Sequence, residues 1–246
     1  MERNEFHFNW ERDRKFELRE QLEREYVESV WQEAISLHEE ALAEQPDNPE
    51  YLHGYGFLLE LKANRLLRKA AECYETGLNG SPVKGDYSWI AGKLHEQLIK
   101  VRGQLSENRK SIDFYKKRLD EFPNEADSYR YLAKCYLTAN QPREAQLVLL
   151  AGLKLFPTDA MLHYYQGETL AQLGQIEEAL LAWERSAQLD SQLIDGRFSR
   201  ALALERENRL AEAIAEWERI ADFMDRYEFD AEVPRREIER LKSKKG

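Results

Sequence analysis

A spacing of 34 residues recurs through the second half of the chain, and nothing else in the sequence limits the fold so tightly. From Ala126 to Asp159 the key positions are Tyr129, Leu132, Ala133 and Tyr136, then Ala145, Leu149, Gly152 and Pro157. A shift of 34 puts His163, Gln166, Gly167 and Leu170, then Ala179, Trp183 and Ala187, in the same slots. A second shift gives Arg197, Arg200, Ala201 and Leu204, then Ala213, Trp217 and Ile220. In each unit the first set falls at i, i+3, i+4, i+7 and the second at i, i+4, i+7. Each spacing is one face of a helix. Polar turns separate the sets: Ala139-Asn140-Gln141-Pro142, Leu173-Gly174-Gln175 and Glu207-Asn208-Arg209. Each unit therefore reads as two antiparallel helices. The small residues Ala133, Gly167 and Ala201, and Ala145, Ala179 and Ala213, let them approach closely.

Composition supports an all-helical chain. Leu, Ala, Glu, Arg and Gln dominate, and seven prolines and twelve glycines are few for 246 residues. β-Branched residues are too sparse to build a sheet. The formal net charge of −10 argues against a nucleic-acid binder, whose affinity rests on neutralising phosphates. The charge is uneven. Residues 1–50 carry 15 acids and 6 bases, whereas residues 81–118 carry 4 acids and 9 bases. The basic stretch reads as a solvated helix face or as a local site for an acidic partner. Cys73 and Cys135 lie far apart in helical patterns with no CxxC pair, and are expected to be reduced and buried. The first residues are charged and hold no apolar signal region, and the longest apolar run, Leu147 to Leu153, is too short for a bilayer. A cytoplasmic protein with no membrane partner is the expectation.

These slots resemble the tetratricopeptide repeat family, whose units carry an aromatic, then Leu and a small residue, then Tyr, and later Ala, an aromatic and Pro. Residues 126–159 match that pattern well. The next two units depart from it: Arg197 stands in the aromatic slot, Arg200 in the leucine slot, and no proline closes either unit. The resemblance implies a right-handed superhelical solenoid of antiparallel helix pairs, with about six hairpins and a C-terminal capping helix. It divides the chain into an N-terminal segment, 1–14, an array over 15–227 and a capping helix with a basic tail over 228–246. The units are 15–48, 49–83, 84–125, 126–159, 160–193 and 194–227.

Upstream the period loosens. Ala34, His38, Ala41 and Pro46 form a second-helix half. Residues 15–28 read as its first helix, or 12–44 as one long helix. Leu52, Tyr55, Gly56 and Leu59, then Ala70, Tyr74, Gly77 and Pro82, read as a hairpin with about two extra residues near its turn. Pro123 follows Pro82 by 41 residues, and the excess of seven is about two helical turns. It predicts a lengthened helix over about 86–105, with Ile90, Leu94, Leu98 and Val101 on one stripe. Pro234 suits the first turn of a short last helix ending near Lys244.

Catalytic signatures are sparse. The histidines are His7, His38, His53, His95 and His163, none in an HExxH pair or beside a cysteine. His38 and His163 fall in packing slots. Gly54-Tyr55-Gly56 lacks the preceding strand of a phosphate loop, and Trp183 and Trp217 share a core slot. No catalytic residue, metal site or cofactor is assigned. The resemblance instead implies a concave groove lined by the first helix of each unit. In 126–159 its positions are Asp127, Arg130, Lys134 and Leu137. In the next unit they are Met161, Tyr164, Glu168 and Ala171, and in the last Asp195, Phe198, Leu202 and Glu205. In 49–83 they are Glu50, His53, Phe57 and Glu60. Aromatic anchors mixed with cations suit a peptide groove. Arg130, Lys134, Tyr164, Glu168, Phe198, His53 and Phe57 are the candidate contacts. Arg130 and Lys134 suit an acidic side chain or a chain terminus. The asparagines of the family's chaperone-binding clamp are missing, so that role is not assigned. The reading is a scaffold or adaptor binding a protein or peptide partner; the alternatives are a peptide-sensing receptor and an enzyme with an unrecognised site.

Overall fold

The computed structural model describes residues 14–79 and 88–245, and among these it contains twelve α-helices and no strand. The chain divides within its third helix into two compact units, Met1–Cys73 and Tyr74–Gly246.

The first unit holds α1 (Arg14–Arg24), α2 (Glu28–Glu44) and most of α3 (Pro49–Asn79). Residues 25–27 separate α1 from α2, and Val27 is extended at φ −120°, ψ 125°. The open question over 12–44 is thus answered by two helices. The core is Leu18, Leu22, Ala34, Ile35 and Leu58, with Trp31 packed beside it. Trp31 Nε1 donates to the Leu58 carbonyl at 2.8 Å. The His38 ring is buried, with Nδ1 2.8 Å from the Ala34 carbonyl oxygen. Gly54 lies against that ring: a Cβ there would sit 2.3 Å from His38 Nε2. Gly54-Tyr55-Gly56 is therefore helix, with Gly54 a packing residue.

The hairpin expected over 49–83 differs from what is found: Pro49–Asn79 is one continuous helix of 31 residues. Two causes are visible. From Pro49 to Thr76 only Gly54 and Gly56 interrupt a run of helix formers, and both precede the stretch around Asn64 where a turn would fall. In the later hairpins, moreover, the alanine slot comes five residues after the turn residue: Asn140 to Ala145, Gly174 to Ala179, Asn208 to Ala213. From Asn64 to Ala70 the step is six. One extra residue rotates a helical face by about 100°, so a turn at Asn64 would aim the second apolar face wrongly. A continuous helix keeps it in phase.

In the second unit α4 (Ser88–Gln104) and α5 (Asn108–Glu121) pair, followed by α6 (Ala126–Thr138) with α7 (Pro142–Leu155), α8 (Ala160–Gln172) with α9 (Ile176–Leu189), and α10 (Asp195–Arg206) with α11 (Leu210–Arg226). The helix α12 (Glu232–Lys245) packs on α11 and buries Leu241. α4 is longer than α6, α8 and α10, as the excess spacing predicts, and buries Leu98 and Val101. Residues 80–87, which include Pro82, lie outside the described residues.

One device ends α4, α6, α8, α10 and α11. Ser106, Asn140, Gly174, Asn208 and Glu228 have φ between 56° and 77°. The next amide donates back to a carbonyl five residues earlier: Gln141 to Tyr136 at 2.8 Å, Gln175 to Leu170 at 2.9 Å and Arg209 to Leu204 at 2.8 Å. Glu107 to Arg102 and Phe229 to Met224 repeat this at 2.8 Å. This closure satisfies the last carbonyls and turns the chain back on itself. The small slots then meet large neighbours. Ala133, Ala145, Ala179, Ala201 and Ala213 are wholly buried. A Cβ on Gly167 would lie 2.5 Å from the Trp183 ring.

Of the two cysteines, Cys135 is buried as expected and burial pushes its thiol pKa up. Cys73 is exposed, which corrects the expectation of burial. It sits near the end of α3, beyond Leu58 and Leu61, where that helix has left the α1–α2 core.

Candidate peptide-binding face

Within the second unit α4, α6, α8 and α10 pack side by side, so their outward residues form one continuous face. Arg130 and Lys134 stand one turn apart on α6. Arg130 is half-buried, pairs with Asp127 at 2.9 Å and donates to Tyr131 Oη at 2.8 Å. Its Nε is buried without a partner among the described residues. The guanidinium lies 4.6 Å from the Tyr131 ring centre, within cation–π range.

Lys134 is half-buried and makes no ion pair among the described residues. Burial pulls its pKa down, against the opposing fields of Glu96 on α4 and Asp195 on α10, while Arg130 adds to the lowering. Tyr164 on α8 is likewise half-buried; desolvation, Glu168 and Asp195 raise its pKa, and a hydrogen bond with Ser199 opposes that. The structure thus brings Arg130, Lys134, Tyr164 and Glu168 onto neighbouring helices. Glu168 accepts from Trp183 Nε1 at 3.0 Å, which ties this face to the core. Phe198 is partly committed to packing, edge-on to Trp217 at 5.5 Å between ring centres. Between α8 and α10 lies a cleft of about 430 Å³, lined in part by Glu168, Ala171, Ser199, Leu202 and Arg206.

His53 and Phe57 belong to the first unit, on α3. His53 is exposed. Phe57 packs at the edge of the core with the Arg19 guanidinium 5.1 Å from its ring centre.

Sequence reading missed four participants. Glu96 and Ser199 lie outside the groove slots of the repeat pattern, and Tyr131 was hidden as an ordinary buried aromatic. His95 is another. It stacks on Tyr131 at 4.2 Å and its Nδ1 is 2.9 Å from Tyr115 Oη. Burial, with Arg118 and Arg130 nearby, holds its pKa down at about 3. The imidazole is neutral and buttresses Tyr131, which in turn holds Arg130.

The departures Arg197 and Arg200 have a structural reason. Both pair with Glu216, as does Arg219, and Arg200 also reaches Glu184 at 3.4 Å. Glu216 is 1% exposed and fills the repeat slot of Ala182. An ionic cluster therefore replaces apolar contacts in the last hairpin. In the basic stretch Arg102 is similarly engaged: it pairs with Glu75 and its guanidinium lies 5.7 Å from the Phe114 ring centre. Among the described residues no cluster of His, Cys, Asp and Glu could hold a metal ion. No described helix is long and apolar enough to cross a membrane.

Antiparallel helix pairs in register, closed by one repeated turn, define a helical-repeat protein. The chain matches the tetratricopeptide repeat model over residues 130–193. Among solved structures it is similar in fold to TTC0263, a tetratricopeptide repeat protein of Thermus thermophilus. The identity is 19%, the TM-score 0.51, and the match covers 93% of this chain and 99% of that one. MamA is similar at 15% identity and a TM-score of 0.47, over 87% of this chain and 96% of that one. The TPR2AB domain of yeast Sti1, solved in a pHSP90 complex, is similar at 19% identity and a TM-score of 0.42, over 93% and 95%.

Proposed function

We propose that the chain is a protein-interaction scaffold whose α6–α8–α10 face binds an extended, acidic segment of a partner protein. Lys134 carries the reading. An ammonium partly stripped of water and lacking a paired carboxylate gains from an incoming one. Arg130 beside it is held in place by Asp127 and Tyr131, and its fixed fork suits a carboxylate. Tyr164 offers a half-buried aromatic surface with a hydroxyl. Leu202 and Ala171 beside Glu168 give an apolar wall for the residues that follow. Phe198 supports that wall from beneath. In the first unit His53 is a separate contact position, with Phe57 behind it.

The test is capture of partners from the source cell, followed by titration of the peptide segment they share. Arg130→Ala and Lys134→Ala should each weaken binding about tenfold, or roughly 1.4 kcal/mol. The remaining affinity should fall less steeply with salt than that of the parent. Undiminished binding by the double variant would overturn the assignment of this face. A tight RNA complex indifferent to salt would overturn the class of partner.

A further inference from the structure

The α3 helix has two apolar faces. One, with Gly54 and Leu58, is buried against the rest of the first unit. The other follows a 4–3 spacing: Leu52, Gly56, Leu59, Ala63, Leu66, Ala70, Cys73. Leu52, Leu59 and Leu66 are 48%, 45% and 56% exposed, and Gly56, Ala63 and Cys73 are exposed as well. The spacing is that of a coiled-coil seam, with Leu or Cys alternating with Gly or Ala.

The later hairpins show what covers such positions. Gly56 occupies the slot of Ala133, Gly167 and Ala201, and Ala70 that of Ala145, Ala179 and Ala213. In the closed hairpins those alanines are wholly buried, and Gly167 is pressed by Trp183. A Cβ on Gly56 would meet nothing within 4 Å. The face is a hairpin interior whose two halves have been drawn out along one helix, so neither can reach the other.

We propose that this stripe pairs with the α3 stripe of a second copy, running antiparallel. The occupant follows from the sequence of the stripe itself. In an antiparallel pair centred between Asn64 and Arg65, Leu59 faces Ala70 of the other copy and Leu66 faces Ala63. Cys73 faces Gly56. In these layers each large side chain meets a small one, so the helices approach closely and the layers fill. A parallel pair would set leucine on leucine and alanine on alanine, leaving gaps at the small layers. The first half of each helix covers the second half of its partner, and the two-fold axis lies where the other hairpins have their turn. The step of six residues from Asn64 to Ala70, which disfavours a turn, is the same step that keeps the stripe in phase across the axis.

Light scattering on the full chain should give twice the 29.0 kDa of one copy. Leu59→Glu with Leu66→Glu should return it to 29.0 kDa with its helical circular dichroism kept. Leu59→Cys with Ala70→Cys, on a Cys73→Ser background, locates the contact. Within one continuous helix these positions are about 16 Å apart, too far for a disulfide. Oxidation should therefore yield a covalent dimer. A fast-migrating, internally linked monomer would mean that α3 closes into a hairpin in solution and would overturn the proposal. A monomeric parent at the highest soluble concentration, or a dimer unaffected by the glutamates and not cross-linked by the cysteines, would overturn it too.

Discussion

At the scale of single residues, buried polar side chains decide how the second unit responds to its surroundings. His95 is neutral because charging it would place an imidazolium among Tyr115, Tyr131, Arg118 and Arg130. Its folded pKa of about 3 lies below its ordinary 6.5. The stability linked to its neutrality is complete above the ordinary value and is lost as pH falls toward the folded one. A loss on the order of 3–5 kcal/mol between those limits is expected from this residue. The difference in denaturation free energy between the parent and His95→Gln, followed from pH 7 to pH 4, isolates it from the titrating carboxylates; a constant difference would refute it. Glu216 offers a second case. Glu216→Ala leaves Arg197 and Arg200 without their main partner. They are 25% and 15% exposed and can partly rehydrate, so the cost is about 2–4 kcal/mol. Combining it with Arg197→Tyr and Arg200→Leu, the residues of the 126–159 unit, should recover most of that in urea denaturation.

At the scale of elements, the turns explain what could be read beforehand. Asn140, Gly174 and Asn208 suit a positive φ, and each stood out as a turn residue between apolar runs. Ser106 and Glu228 adopt the same conformation with no such preference, so their turns were indistinct in the sequence. Left-handed backbone costs an ordinary L-residue about 1–2 kcal/mol, which glycine avoids at some entropic cost. Ser106→Gly should therefore stabilise the second unit by about 0.5–1 kcal/mol in thermal unfolding, whereas Gly174→Ala should destabilise it. In α3 the opposite holds: apolar slots of both helices of a hairpin are present, and Asn64 between them resembles a turn residue. Phase decided otherwise, because the apolar slots beyond it arrive one residue late. The candidate face was half legible. Arg130, Lys134, Tyr164 and Glu168 follow from slot numbers, but Glu96 and Ser199 join them only through the packing of α4 on α6 and α8 on α10. Adjacency between helices a whole repeat apart leaves no local mark.

At the scale of the molecule, stability is unevenly shared. The second unit contains two extensive cores, one centred on Tyr115, Leu132 and Leu149 and the other on Trp183, Leu204 and Trp217. Among the described residues the first has a single small core around Leu18, Ala34 and Leu58. A fragment of residues 88–246 retains nearly all of the larger cores. It should fold cooperatively and melt close to the main transition of the full chain, as calorimetry can establish. A fragment without cooperative melting would show that the first unit or the end of α3 is required.

Strict spacing over 126–193 also determines where the chain tolerates recombination. Removing or duplicating one whole repeat there moves Ala145 into the surroundings of Ala179, and the new junction finds the neighbours of the old one. The same excision across α3 would cut through a continuous helix, and one across 194–227 would strand α12, whose Arg240 is matched to Glu205. Whole-repeat insertion or excision should thus be tolerated in the middle of the array and not at either flank.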